Sequence, residues 1–159
     1  MLLGIDPVLG PDLLGNLRAM GHGDEIAIVD GNYPAEAHAK RLIRADGLSV
    51  DRVLAAILSV LPLDSDVNCP AIRSCNPAHP DRRSEVHEKI DGYLTDALGH
   101  TKRIEVSHGA ALYDRIQLCY AVVATSEINL FANVILRKGV IGGRSEIGST
   151  QVQREWAKG

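Results

Sequence analysis

Short apolar runs alternate with amphipathic segments along this chain, and that order constrains the fold more than any other feature. Residues 26–29 form an apolar run that stops at Asp30, which is typical of a buried strand. Residues 53–61 instead carry apolar side chains at helical spacing, and Pro62 follows as a stop signal. Strands that alternate with helices predict a single α/β domain with helices packed on a central sheet.

The same two periodicities predict the other elements. Helices are predicted at about residues 11–20, 49–61, 84–98 and 110–118. Strands are predicted at about residues 26–29, 69–75, 103–106, 120–125 and 131–136. Residues 44–47 are interpreted as a turn before the second helix. Residues 142–159 are rich in glycine, serine and charge, so we expect a flexible tail or an arm that reaches a neighbouring subunit.

The charge pattern and the N-terminal sequence argue against several classes of protein. The net charge is -3 and the basic residues are scattered, whereas nucleic-acid binders carry a basic stripe. The N-terminus lacks a secretory signal pattern, and no stretch approaches the about 20 apolar residues of a membrane span. The three cysteines lack C-x-x-C spacing and are interpreted as reduced thiols. We therefore expect a cytoplasmic protein without nucleic-acid or membrane partners.

His22 is the first candidate for chemistry, because Gly21 and Gly23 flank it between a predicted helix and a buried strand. Flanking glycines leave an imidazole uncrowded, and histidine titrates near neutrality, which suits proton transfer. A histidine at this place can equally cap the carboxyl end of the preceding helix. The spacing alone supports both interpretations to the same degree.

Other polar residues lie at or near the ends of predicted strands. Asp30 ends the first strand, where ligands collect in α/β sheets, although an Asx-turn onto Gly31 explains it better. His108 follows another strand and is either a polar contact or an exposed loop residue. Asn133 lies inside a predicted strand, where asparagine is depleted, so its amide requires a partner or a ligand.

Sequence motifs give no support to nucleotide-binding or serine-nucleophile enzymes. The chain has no P-loop, no dinucleotide fingerprint and no G-x-S-x-G elbow. His22, Asp30 and His38 offer the nitrogen and oxygen ligands of a metal-dependent hydrolase, but their spacing matches no metal motif. A metal site therefore stays a minor alternative.

Several segments occur in the order and spacing of a known family. They are Gly4-Ile5 through Leu13-Leu14 and residues 20–26, 30–35, 43–48, 61–64, 112–115 and 131–139. Together they resemble the L-fucose mutarotase and D-ribose pyranase family, and the L-fucose branch is the closer match. The similarity covers about residues 1–141, which we interpret as one sugar mutarotase-like domain.

This resemblance implies a ribose pyranase-like fold without metal or cofactor. It implies an isomerase that interconverts the α and β anomers of a monosaccharide such as L-fucose. It also implies homo-oligomers, often decamers, with sites near the subunit contacts. The proton donor of the family corresponds to His22. Its sugar-binding residues correspond to Asp30, Phe131, Ala132 and Asn133.

Two departures from the family pattern concern the substrate. The triplet at residues 131–133 usually begins with tyrosine, and Phe131 lacks the hydroxyl that such a site uses for discrimination. An arginine or histidine of the family falls on Gly109, and the neighbouring His108 could substitute for it. Two alternatives therefore stay open: a non-catalytic monosaccharide-binding or sensing module, and a D-ribose pyranase-type activity.

Overall fold

A six-stranded sheet forms the centre of the computed structural model, which describes residues 2–99 and 102–142. Its strands are β1 (Glu25–Val29), β2 (Leu42–Ala45), β3 (Ala71–Ser74), β4 (Ile104–Ser107), β5 (Ala121–Thr125) and β6 (Val134–Arg137). They lie in the order β2-β5-β1-β6-β3-β4. All of the expected tail except Gly142 lies outside the described residues.

The direction of β6 decides which strand ends meet at each edge of the sheet. β5 pairs in parallel with β1 and β2, and β3 pairs in parallel with β4. β6 runs antiparallel between β1 and β3, and its first residue, Val134, lies opposite Ile28 and Arg73. The carboxyl ends of β1, β3 and β4 therefore meet the amino end of β6 at one edge.

Helices cover both faces of the sheet. They are α1 (Pro11–Ala19), α2 (Ala35–His38), α3 (Val50–Leu58), α4 (Glu85–Leu98) and α5 (Gly109–Leu118). Along β1, Ile26 and Ile28 join a core with α1, α3 and α4, whereas Ala27 and Val29 join a second core with α2 and α5. No described helix is long and apolar enough to cross a bilayer. The predicted α/β architecture, with helices packed on a central sheet, is confirmed.

Two predicted boundaries are wrong, and one of them bears on function. Residues 131–133 precede β6 instead of beginning it, because Phe131 has a φ of 61°, outside the conformations of a strand. Residues 44–47 are not all a turn, because Arg44 and Ala45 end β2 and pair with β5. The short helix α2 has no counterpart in the prediction, since four residues carry no helical period.

Candidate functional site

A cavity of about 350 Å³ opens at the sheet edge where β1, β3 and β4 end and β6 begins. Polar residues from these four strand ends line it: Asp30 after β1, Ser74 in β3, His108 after β4 and Asn133 before β6. Side chains converge at such an edge because the backbone leaves the sheet there. The structure thus brings together four of the predicted site residues, Asp30, His108, Phe131 and Asn133.

Asp30 and Asn133 are held against each other through the main chain. The N–H of Asp30 donates to Asn133 Oδ1 at 2.9 Å, and Asp30 Oδ1 accepts the N–H of Asn32 at 3.0 Å. The second bond is the Asx-turn that the sequence favoured. Asp30 Oδ2 has a long contact of 3.4 Å with the N–H of Ala132, and Asn133 Nδ2 donates to no described residue. One acceptor and one donor are therefore available to a ligand.

Phe131 turns the chain so that residues on both sides of Ala132 face the cavity. Its carbonyl accepts two hydrogen bonds, from Ser74 Oγ at 2.5 Å and from His87 Nε2 at 2.6 Å. These bonds hold the left-handed backbone of Phe131, which is rare for a residue with a side chain. Phe131 and Asn133 line the cavity. Ala132 is fully buried, and only its N–H takes part, through the long contact with Asp30 Oδ2.

His87 supports this turn and is absent from the sequence prediction. It is the third residue of α4, and only 3% of it is exposed. Its Nδ1 accepts the N–H of Ser84, so Nε2 carries the hydrogen that is donated to Phe131. The pattern Ser84-x-x-His87 is a capping box with histidine in the place of the usual Glu or Gln, and it is the signal that could have revealed this residue.

Two tyrosines form an aromatic wall of the cavity. Tyr33 and Tyr113 pack edge to face with ring centroids 4.9 Å apart, and Tyr33 Oη lies 2.9 Å from His38 Nδ1. Burial, together with Tyr113 and Cys119, raises the pKa of Tyr33 to about 12, so its phenol stays protonated at neutral pH. The apolar lining comes from Cys75, Pro77, Leu112 and Leu130. Both tyrosines lie in segments that carry the family resemblance, residues 30–35 and 112–115, but the sequence analysis assigned neither of them to the site.

His22 lies at the opposite edge of the sheet. It precedes β1, whereas Asp30 follows β1, and the five strand residues between them span roughly 16 Å at about 3.3 Å each. His22 does not line the cavity. The structure therefore does not bring His22 and Asp30 together within one chain.

The interpretation of His22 as a cap of α1 is wrong. Lys138 Nζ donates instead to the carbonyls of Leu17 and Met20, at 2.7 and 2.6 Å. Met20 is the carboxyl cap of this helix. The imidazole of His22 is therefore free for other contacts, and 45% of its side chain is exposed.

A buried carboxylate faces His22. Asp64 Oδ1 lies 3.3 Å from His22 Nε2 and accepts the N–H of Asp66 at 2.9 Å, while Oδ2 accepts Arg137 Nε at 2.8 Å. The hydrogen bond from Arg137, then the N–H of Asp66 and finally His22 lower the pKa of Asp64 to about 2, against the opposing effect of burial. His22 therefore lies beside a fixed negative charge at neutral pH.

The metal ligands considered for a hydrolase do not converge. Within residues 2–99 and 102–142, the one group of three or more His, Cys, Asp or Glu residues with ligand atoms within 4.8 Å of one another is His22, Asp64 and Asp66. Asp30 and His38 do not belong to it. The combination of His22, Asp30 and His38 is therefore wrong as a metal site. Arg137 also bonds to Asp64, and its positive charge opposes a cation there.

The fold and the cavity define a class of protein. It is an α/β protein with a small-molecule site at strand ends, where a carboxylate and an amide lie beside aromatic walls. Such a lining suits a small ligand with several hydroxyl groups. A family model described as the RbsD / FucU transport protein family matches residues 3–141, and the chain belongs to this family.

Individual relatives match nearly the whole described chain. The L-fucose mutarotase of Haemophilus influenzae (strain PittGG) is 36% identical over 140 residues, which cover 88% of this chain and 97% of the relative. A fucose mutarotase from Streptococcus pneumoniae, solved in complex with L-fucose, superposes with a TM-score of 0.82 and 37% identity, over 89% of this chain and 100% of that one. RbsD of Bacillus subtilis, solved with D-ribose, shares the fold with a TM-score of 0.70 at 20% identity, over 89% and 99%. The predicted family and the ribose pyranase-like fold are confirmed.

Proposed function

We propose that this protein is a mutarotase, an isomerase that interconverts the α and β anomers of a monosaccharide such as L-fucose. The observation that carries the proposal is the cavity in which Asp30 Oδ2 and Asn133 Nδ2 are available beside Tyr33. These groups can accept hydrogen bonds from sugar hydroxyls and donate to them. L-fucose mutarotases that are similar over almost their entire length support the same activity.

Mutarotation requires only proton movement. A general acid protonates the ring oxygen while a base takes the proton of the anomeric hydroxyl, and the bond between C1 and the ring oxygen breaks. The open aldehyde rotates about C1–C2, and the ring closes on the other face. Acid–base catalysis of this kind supplies about a hundred- to ten-thousandfold in rate. No cofactor takes part in the proposed reaction.

The proton donor in this scheme is His22 of one copy, acting on a sugar bound to another copy. His22 and the cavity occupy opposite edges of the same sheet, so a single chain does not supply both. In a homo-oligomer, the His22 edge of one subunit can complete the cavity of the next, where Asp30 and Asn133 hold sugar hydroxyls. A head-to-tail contact of this kind closes into a ring when its rotation permits. Rings and decamers are also what the family resemblance implies.

Exposed apolar residues near the cavity support such a contact. Ile128 is 86% exposed and Leu130, which lines the cavity, is 59% exposed. Neighbouring exposed apolar side chains of this size mark surfaces that associate with other proteins. The cytoplasmic location expected from the sequence stays a prediction.

Saturation-transfer NMR of L-fucose tests the proposed activity. We expect catalytic amounts of protein to accelerate exchange between the α and β anomeric protons, and the same rate after dialysis against EDTA. The variant Asp30→Asn, which keeps the size of the side chain, should be slower. D-ribose measured in the same way identifies a pyranase-type preference.

A second candidate, a non-catalytic sugar-binding module, is favoured by one observation: Phe131 lacks the hydroxyl usual at that position. Calorimetric binding of L-fucose without faster anomer exchange would establish that candidate. A protein that neither binds nor accelerates exchange of any aldose tested would contradict both.

A further inference from the structure

We propose that Tyr33 and His38 form a second proton-transfer pair, in which the Tyr33 hydroxyl takes the proton of the anomeric hydroxyl and passes its own proton to His38 Nδ1. This inference rests on the proposed mutarotase activity and deepens it. Opening of the sugar ring needs a base as well as an acid, and the proposed donor His22 supplies only the acid. Tyr33 and His38 both follow β1, as Asp30 does, so one chain supplies the cavity and this pair.

The phenol of Tyr33 connects the cavity to His38. Tyr33 lines the cavity although only 6% of the residue is exposed. His38 is the last residue of α2 and does not line the cavity, but its Nδ1 lies 2.9 Å from Tyr33 Oη. A ligand in the cavity can therefore reach His38 through this phenol.

Backbone and ring contacts hold the pair in place. The N–H of Tyr33 donates to the carbonyl of Asp30 at 3.2 Å, and the N–H of Ala35 donates to the carbonyl of Tyr33 at 2.7 Å. The rings of Tyr33, His38 and Tyr113 pack edge to face in all three combinations, with centroids 4.9 to 5.9 Å apart. Tyr33 is therefore fixed relative to Asp30, whose carboxylate is available to the same ligand.

The hydrogen bond between the two side chains runs from Tyr33 to His38. The pKa of Tyr33 is raised to about 12, chiefly by burial, so the phenol carries its hydrogen at neutral pH and needs an acceptor. Among the residues that the structure describes, His38 is the one hydrogen-bond partner of Tyr33 Oη. A neutral imidazole offers one lone pair, which here belongs on Nδ1, and its hydrogen belongs on Nε2. The lone pairs of Oη stay available to a sugar hydroxyl.

The proposed transfers conserve every proton. When the sugar ring opens, the O–H bond of the anomeric hydroxyl breaks and its proton moves to Tyr33 Oη. The proton that Tyr33 carried moves to His38 Nδ1, and the ring oxygen receives the proton of His22. Closure on the other face reverses these transfers and restores both histidines. Because the pKa of Tyr33 is high, the phenol gives up its proton only as it receives another.

Two substitutions separate proton transfer from packing. Tyr33→Phe removes the hydroxyl and keeps the ring that packs against Tyr113. His38→Asn keeps an acceptor for the hydroxyl, because asparagine Oδ1 is attached at the same point of the side chain as Nδ1, but an amide oxygen takes up no proton at neutral pH. If His38 only positioned Tyr33, this variant would keep the original rate. Tyr93→Phe is the matched control, because it makes the same change at a tyrosine of α4 that is 41% exposed.

Saturation-transfer NMR over a range of L-fucose concentrations gives kcat and KM for each full-length variant. In Tyr33→Phe and in His38→Asn we expect kcat at least about tenfold lower, within the range that proton transfer supplies. KM of His38→Asn should change little. Tyr93→Phe should keep the original kcat and KM. In the unaltered protein at about pH 8, above the usual histidine range, the ¹⁵N resonances of His38 should show hydrogen on Nε2.

Three results would overturn the inference. The original kcat in folded Tyr33→Phe would place the base elsewhere, for example at Asp30. The original kcat in folded His38→Asn would reduce His38 to a packing role. Hydrogen on Nδ1 of His38 in the unaltered protein would decide against the inference even where the variants fail to fold. An unaltered protein that does not accelerate anomer exchange would instead overturn the proposed function, so the two failures are distinguishable.

Discussion

Asp64 combines deep burial with a full negative charge, and this combination links the stability of the fold to pH. Arg137 and the N–H of Asp66 hold the carboxylate in its ionised form and lower its pKa to about 2. An unfolded chain offers neither partner, so the carboxyl group there has the ordinary pKa of about 3.9. Because the pKa is lower in the folded state, the ionised group stabilises the fold above about pH 4. That contribution is lost as the pH falls through the folded pKa.

We predict that Asp64→Asn lowers the free energy of unfolding at neutral pH. The difference in free energy of unfolding between this variant and the unaltered protein should become smaller as the pH falls from about 4 towards 2. Urea denaturation at a series of pH values measures both quantities. Asp66→Asn serves as the control, because its exposed side chain should give little difference at any pH. If Asp64→Asn lowers the free energy of unfolding by the same amount at every pH, the result would show that the contacts of Asp64 do not depend on its charge.

Single residues differ in how far the sequence reveals them. Asp30 and His108 could be selected because polar residues at strand ends carry a general meaning in α/β sheets, and Asn133 could be selected because asparagine is depleted in strands. Asp64 could not be selected in this way, since its partner Arg137 lies 73 positions away. The position of His22 relative to the cavity could not be predicted either, because it depends on which edge of the sheet each loop reaches.

Among the elements, α4 has a function beyond packing, because its first turn anchors the cavity. His87 bridges the N–H of Ser84 and the carbonyl of Phe131, and it thereby connects the start of α4 to the turn before β6. The turn presents Phe131 and Asn133 to the cavity. A substitution that destabilises the first turn of α4 should therefore alter the geometry of the cavity.

We predict that His87→Ala lowers the free energy of unfolding by about 2 kcal/mol or more, because the carbonyl of Phe131 loses a buried partner and the imidazole leaves a gap. Chemical denaturation gives the stability, and calorimetry with L-fucose gives the affinity, which should weaken as well. His79→Ala, in an exposed loop, is the matched control. Equal stability and affinity in the two variants would contradict a supporting role for His87.

Elements in which the apolar side chains follow a strong helical or strand spacing could be predicted from the sequence. Elements that depend on contacts with distant parts of the chain could not. The predicted helix at residues 84–98 corresponds to α4 (Glu85–Leu98), which ends at Gly99 with a φ of 64°. β2 has four residues beside a strong turn signal, and only its pairing with β5 makes it a strand. Residues 131–133 carry a strand-like pattern, but hydrogen bonds from Ser74 and His87 impose a different backbone.

For the whole molecule, the decisive feature is the insertion of β6 between β1 and β3. β6 is the last strand described, and its place in the sheet could not be predicted from the order of strands along the chain. This insertion brings Asn133 to Asp30 at one edge and Arg137 to Asp64 near His22 at the other. Under the proposed mechanism, these are two halves of one site at opposite edges, and an oligomer joins them.

Complementation between two inactive variants tests this account most directly. His22→Ala removes the proposed proton donor, and Asp30→Asn alters the carboxylate of the cavity, so each variant alone should exchange L-fucose anomers slowly in saturation-transfer NMR. When equal amounts are unfolded and refolded together, subunits mix, and about a quarter of the sites in a ring combine an intact His22 with an intact cavity. The account predicts that about a quarter of the original activity returns. A mixed oligomer that is no more active than the two variants measured separately would contradict the account.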